Sequence, residues 1–216
     1  MFNWVCSPAA TELEVVVMDW LAQAMCLPTK MRHGEDLGGG GLIMSSASES
    51  ILTVMTAARD RALDRICGAN SSEQRRRDVM SDLVVLGNPG THSSTEKAAR
   101  ILGIRYQLVD SGDSSTMTAE GLARALADCS RDGLHACFLT VTMGTTSTCE
   151  TDDLAGIENV ICEKSTHGSL WIHLDASYAG NALICPEHQH LSEQLASFDS
   201  FNVNLNKWLL VNVDAR

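Results

Sequence analysis

Apolar positions along this chain switch between two periods. Leu13, Val16, Val17, Trp20, Leu21, Ala24 and Met25 recur at the three-and-four spacing of one helix face, up to Pro28, whose ring cannot continue a helix. Thr11 and Glu14 have the spacing of a capping box, so this segment is expected to be a packed amphipathic helix. After the glycine run Gly38 to Gly41 and the apolar Leu42-Ile43-Met44, a second box, Ser46 with Glu49, opens a helix expected to reach about Ile66. Strand-like segments recur at Leu83 to Leu86, Arg105 to Val109, Ala136 to Met143, Leu170 to Leu174 and Phe201 to Val203. Helical spacing at Ser93 to Leu102, Thr118 to Cys129 and Asp152 to Cys162 separates most of them. The alternation predicts an α/β fold with a largely parallel central sheet. No internal repeat and no linker interrupts the pattern, so a single domain over residues 1–216 is expected.

Composition narrows the partners. The chain has 216 residues, 44% of them hydrophobic, which is enough to bury a substantial core. Its net charge of −11 argues against nucleic acid and anionic membrane. The one basic cluster, Arg75-Arg76-Arg77, lies between Glu73 and Asp78 and reads as a solvated helix face or loop. Eight cysteines at irregular spacing, with no Cys-x-x-Cys pair, read as free buried thiols rather than a disulfide framework. There is no basic region followed by an apolar run at the start, and no stretch of eighteen apolar residues, so a soluble, cytoplasmic protein is expected. Cys185, His188 and His190 are too close together and lack a distant fourth ligand, so they read as a surface loop and no metal is expected.

One lysine stands apart. The chain has four, and Lys30 after Leu27-Pro28, Lys97 in a helical run and Lys164 among polar residues are in ordinary solvated settings. Lys207 is followed by Trp208, Leu209, Leu210 and Val211. An apolar setting disfavours the charged form of an amine, which suits a Schiff-base lysine, although a buried lysine taken alone is more often an ion-pair partner. Thirty-two residues earlier, Asp175 ends the strand pattern Ser169 to Asp175, where a carboxylate could hold a pyridine nitrogen protonated. Ser46-Ala47-Ser48 opens a helix whose free amides could cradle a phosphate, and plain N-capping by Ser46 accounts for the same residues. His92, in Gly90-Thr-His-Ser-Ser, is by itself a loop histidine.

Nine segments fall in one order and spacing: Trp4 to Glu14, Met18 to Leu21, Ser46 to Glu49, His92 to Glu96, Gly144 to Thr146, Asp175 to Gly180, Ile184 to Glu187, Asp199 to Asn202 and Lys207 to Leu210. In these the chain resembles the group II pyridoxal-phosphate decarboxylases, above all the aromatic-L-amino-acid decarboxylases. The resemblance implies the large domain of a fold-type I enzyme, pyridoxal 5′-phosphate as cofactor, a small amino-acid substrate and a homodimer. It implies that Lys207 forms the Schiff base, Asp175 faces the ring nitrogen, and His92 stacks on the ring with Ser177 against its other face. It further places Thr145 near the cofactor hydroxyl, and Ala47, Ser48 and Asn204 at the phosphate. The family has Pro-His before its lysine where this chain has Leu205-Asn206. Asn206, expected beside the cofactor, donates a hydrogen bond but neither stacks nor carries charge. Family members also extend further in both directions, so the chain is expected to be an incomplete large domain with little activity alone. A glutamate-type decarboxylase, an aminotransferase and an inactive cofactor-binding relative remain alternatives.

Overall fold

The computed structural model describes residues 4–34, 38–68, 70–112, 114–163 and 170–212. The solvated setting expected for Lys164 falls outside these residues, as does Ser169 at the start of the fourth strand pattern. In chain order the elements are α1 (Pro8–Ala24), α2 (Ala47–Cys67), α3 (Glu73–Met80), β1 (Leu83–Gly87), α4 (Ser94–Leu102), β2 (Arg105–Leu108), α5 (Ala119–Arg131), β3 (His135–Thr142), α6 (Leu154–Glu163), β4 (Trp171–Asp175), β5 (Ser200–Asn202) and α7 (Leu205–Trp208). Tighter 3-10 turns occupy Ala179–Ile184 and Pro186–Leu195.

The five strands pair in the order β2-β1-β3-β4-β5, and every pairing is parallel. Parallel strands need crossovers that cover both faces of the sheet, and side chains then alternate between two apolar layers. Val84 and Leu86 of β1 join Leu139, Val141, Ile172 and Leu174 in the layer under α5 and α6. Leu83 and Val85 join Phe138 in the layer under α2 and α4. Complete burial of such side chains contributes about 2 kcal/mol each. The chain runs from β1 outward to β2 and returns to β3, so the order reverses between β1 and β3. Ligands of such sheets bind beyond the carboxyl ends of the strands at that reversal.

Four local expectations are corrected. The first helix starts at Pro8 behind Ser7, because proline suits the first helical position, and Thr11 donates back to the Ser7 carbonyl instead of capping. Glu14 is buried and accepts from Ile43 N at 2.8 Å, so it tethers the segment that enters α2. The expected core face is only partly covered: Met25 and Leu21 pack into the core, while Leu13, Val16, Val17 and Trp20 are exposed, Trp20 by 65%. Only Cys129 and Cys137 among the eight cysteines are buried, and burial pushes the Cys137 thiol up to about 12. Cys185, His188 and His190 do lie on the surface, in or beside the Pro186–Leu195 3-10 segment rather than in a loop.

The second helix start holds, with the glutamate's return bond one residue ahead of the cap. Ser46 accepts from Glu49 N at 3.1 Å, and the Glu49 carboxylate turns back to Ser45 N at 3.1 Å. His33 fixes the glycine run ahead of it, with Nδ1 3.0 Å from Asp19 and Nε2 accepting from Gly41 N. These ties and Glu14 set where the amino end of α2 points. The basic cluster is helical, in α3, with Arg76 paired to Asp64 and Arg77 to Glu73. No helix of the described residues is long and apolar enough to cross a membrane.

Candidate active site

A cleft of about 390 Å³ opens across the carboxyl ends of β1, β3, β4 and β5. Its wall brings together six of the residues singled out in the sequence: Ala47, His92, Thr145, Asp175, Ser177 and Lys207. Ser48, Asn204 and Asn206 are not part of that wall. Asn204 is buried at the start of α7, where its carbonyl accepts from Asn181 Nδ2 at 3.0 Å. The Oδ1 atoms of Asn204 and Asn206 are buried without a partner among the described residues.

Asp175 ends β4 and is buried. Its Oδ1 accepts from Ser177 N at 3.1 Å, Ser177 Oγ at 2.5 Å and Asn202 Nδ2 at 3.4 Å. Asn202 also donates to Ser177 Oγ at 2.8 Å. The carboxylate is therefore locked through one oxygen, and the bonds that hold it leave Oδ2 to a ligand. His92 Nδ1 accepts from Ser94 N at 3.2 Å and lies 2.8 Å from Ser94 Oγ, which assigns the neutral ring's proton to Nε2.

Lys207 does not have the apolar burial that its sequence neighbours suggest. It is exposed, Trp208 is 41% exposed and Leu210 is 97% exposed, because the four-residue α7 turns these side chains outward. Position distinguishes it instead. It is the one lysine on the cleft wall among the described residues, and its Nζ lies 5.7 Å from the centroid of the Tyr178 ring. Trp208 meets the same ring edge-on at 5.3 Å. The sequence reading gave Tyr178 no role, although its place between Asp175 and Gly180 was visible.

The loop after β3 closes the cleft on one side. Gly144 N and Thr145 N both donate to the Glu150 carbonyl, at 3.0 and 2.9 Å. Gly144 has φ +80°, and a Cβ there would come within 2.3 Å of Ala179 Cβ, so only glycine fits. The Thr145 hydroxyl accepts from Glu150 N at 3.1 Å and lies 2.8 Å from Thr148 Oγ1. It is thus engaged within its own loop while standing on the cleft wall. Hydrogen bonds from Ser115 and Thr148 hold the Glu150 carboxyl below its ordinary range.

Two buried residues behind the wall escaped the sequence reading. Asp152 accepts from Met117 N at 2.6 Å, Thr142 N at 2.7 Å and Asn88 Nδ2 at 2.8 Å, joining three segments that border the cleft. Burial lifts its pKa to about 6 against the pull of those donors. The visible signal was a pair of acids before a helix, of which Asp153 caps by accepting from Gly156 N and Asp152 turns inward. The other is His173, on the same face of β4 as Asp175, stacked on Phe138 at 5.7 Å with Nδ1 2.8 Å from Ser200 Oγ.

Burial lowers the His173 pKa from 6.5 to about 4, against the opposing pull of Asp175. The unfolded chain therefore takes up this proton first as pH falls. Stability held by neutral His173 is present above pH 6.5 and is lost as pH drops toward 4. Each unit of that displacement corresponds to about 1.4 kcal/mol. His173→Gln is expected to flatten the pH dependence of the unfolding midpoint across this window. A slope equal to the parent's would show that other groups set it.

The pyridoxal-dependent decarboxylase conserved domain matches residues 1–216 of this chain. The chain belongs to the pyridoxal-dependent decarboxylase family. It is 41% identical to the aromatic-L-amino-acid decarboxylase of Cavia porcellus over 213 residues, 99% of this chain and 43% of that relative. Among solved structures, Catharanthus roseus tryptophan decarboxylase in complex with L-tryptophan superposes with a TM-score of 0.84 at 37% identity, covering 97% of this chain and 43% of the other. An Oryza sativa enzyme solved with pyridoxal phosphate also gives 0.84, at 32% identity, over 99% of this chain and 44% of the other. The fold is that of fold-type I pyridoxal-phosphate decarboxylases, and the chain spans under half the length of these relatives.

The cleft suits the family's cofactor. It has a buried carboxylate with an oxygen to spare, a lysine, an imidazole ring, the amino end of a 21-residue helix at Ala47, and an unpartnered buried hydroxyl on Thr142.

Proposed function

We propose that the protein decarboxylates an aromatic L-amino acid, releasing the amine and carbon dioxide, with Lys207, Asp175 and His92 acting on bound pyridoxal phosphate. One observation carries this reading: a single cleft at the reversal of a parallel sheet holds Asp175, His92 and Lys207 together. Pyridoxal phosphate, when bound, supplies an electron sink for the pair left as the bond from Cα to the carboxylate breaks. Asp175 Oδ2 would hold a proton at the ring nitrogen, which would raise the pull of that sink. Ser177 and Asn202 fix the carboxylate in position through its other oxygen. Lys207, on the cleft wall, would hold the cofactor at its carbonyl group through Nζ. His92, its orientation set by Ser94, would provide a flat wall for the ring. The amide end of α2 at Ala47 faces the cleft, where its dipole favours a phosphate.

The names of the relatives support the aromatic substrate class, including the complex of one of them with L-tryptophan. A homodimer in the cytoplasm completes the reading. The exposed row Leu13, Val16, Val17 and Trp20 gives a second copy an apolar surface to cover. The test is to add pyridoxal phosphate to the purified protein, follow its absorbance, and then measure carbon dioxide from L-tryptophan, L-tyrosine and L-glutamate. Uptake of the cofactor is expected, and whatever carbon dioxide this chain releases should come from an aromatic substrate. Release from L-glutamate alone, or no cofactor uptake, would sink the proposal.

A further inference from the structure

Thr142 closes β3 and is paired in register with Asp175 across the β3–β4 ladder. Registered partners in adjacent parallel strands project from the same face, about 4.8 Å apart. Both line the cleft. Thr142 is 5% exposed, and its Oγ1 is buried with no hydrogen-bond partner among the described residues. Two residues earlier on the same face, Thr140 Oγ1 is 3.2 Å from Thr95 Oγ1, so the strand satisfies a hydroxyl where nothing else is meant to reach it. The Thr142 backbone does not drift: its N–H donates to Asp152 at 2.7 Å. Burying a hydroxyl without a partner is unfavourable, and an orphan on the floor of a ligand cleft is explained if the ligand completes it. Thr145, which the family resemblance places near the cofactor hydroxyl, already has partners in its own loop.

We infer that Thr142 is a ligand-contacting residue whose hydroxyl hydrogen-bonds the polar ring edge of the pyridoxal phosphate held by Asp175. This rests on the cofactor assignment made above. Thr142→Val keeps shape and strand preference while removing the hydroxyl. Two readouts then move in opposite directions. In cofactor-free protein the valine variant should unfold at the same temperature as the parent or higher, because an unsatisfied polar atom has gone. Its affinity for pyridoxal phosphate, followed by quenching of intrinsic fluorescence, should fall about three- to tenfold. Thr142→Ser should restore that affinity. Valine protein that binds as tightly as the parent, or that loses cofactor-free stability in step with affinity, overturns the assignment. Failure of the parent itself to bind pyridoxal phosphate overturns the functional reading and this contact with it.

Discussion

Borohydride reduction of the protein loaded with pyridoxal phosphate is expected to fix the pyridoxyl group on Lys207, with label on Lys30 and Lys97 at background. The expectation does not rest on burial, since all three amines are exposed. It rests on place. Only Lys207 of the three stands on the cleft wall, which Asp175 and Ala47 at the amino end of α2 also line. An amine held against a bound carbonyl reacts with an effective concentration that free lysines cannot match, about 10⁵ M or more in well-oriented cases. Lys207→Arg keeps the positive charge and cannot form the carbon–nitrogen double bond, so its trapped label should fall at least about tenfold while reversible cofactor binding survives. Peptide mapping decides the matter: a label that stays high in the arginine variant, or that maps chiefly to Lys30 or Lys97, would exclude Lys207.

Replacing Asp175 should separate charge from scaffold. Asp175→Ala removes the acceptor for Ser177 N, Ser177 Oγ and Asn202 Nδ2 together, which leaves buried donors unpaired at about 1–3 kcal/mol each before relaxation. Asp175→Asn keeps an acceptor oxygen at the same reach and should remain folded nearer to the parent. Both lose the carboxylate that raises the ring nitrogen's pKa by about one to three units. Both should therefore lose decarboxylation by about a hundredfold or more. The informative comparison is the asparagine variant, in which thermal stability and turnover part company. Asparagine protein that releases carbon dioxide near the parent rate would show that Asp175 serves the fold and not the reaction.

The sheet was readable because its central strands are buried on both faces and so appear as short apolar runs. Leu83 to Leu86 and Ala136 to Met143 needed no tertiary knowledge. Ser46 and Glu49 gave the start of α2 because capping is a local interaction. Where the reading failed, the deciding contact was distant in sequence. Glu14 looked like half of a cap, and its partner is Ile43, 29 residues on. Lys207 was expected to be buried because apolar residues follow it, but a short helix turns Leu210 into solvent. In the site, residues borne by strong motifs could be found, while Asp152 and Thr142 could not. Their importance comes from who faces whom across strands, and no spacing along the chain encodes that.

The all-parallel sheet also governs when the site can exist. The cleft wall is gathered from residues 47, 92, 142, 175 and 207, and each consecutive strand pair is closed only by a crossover through the intervening chain. Contacts of such high sequence separation form slowly, because chain closure must precede any reward. Lys207 follows the last strand, so the cleft is complete only after β5 has docked. A ligand that spans Asp175 and Lys207 thus recognises the assembled five-stranded sheet. Its grip retards unfolding and leaves the folding rate almost untouched, so the cofactor acts on this fold as a clasp on the native state rather than as a template for reaching it.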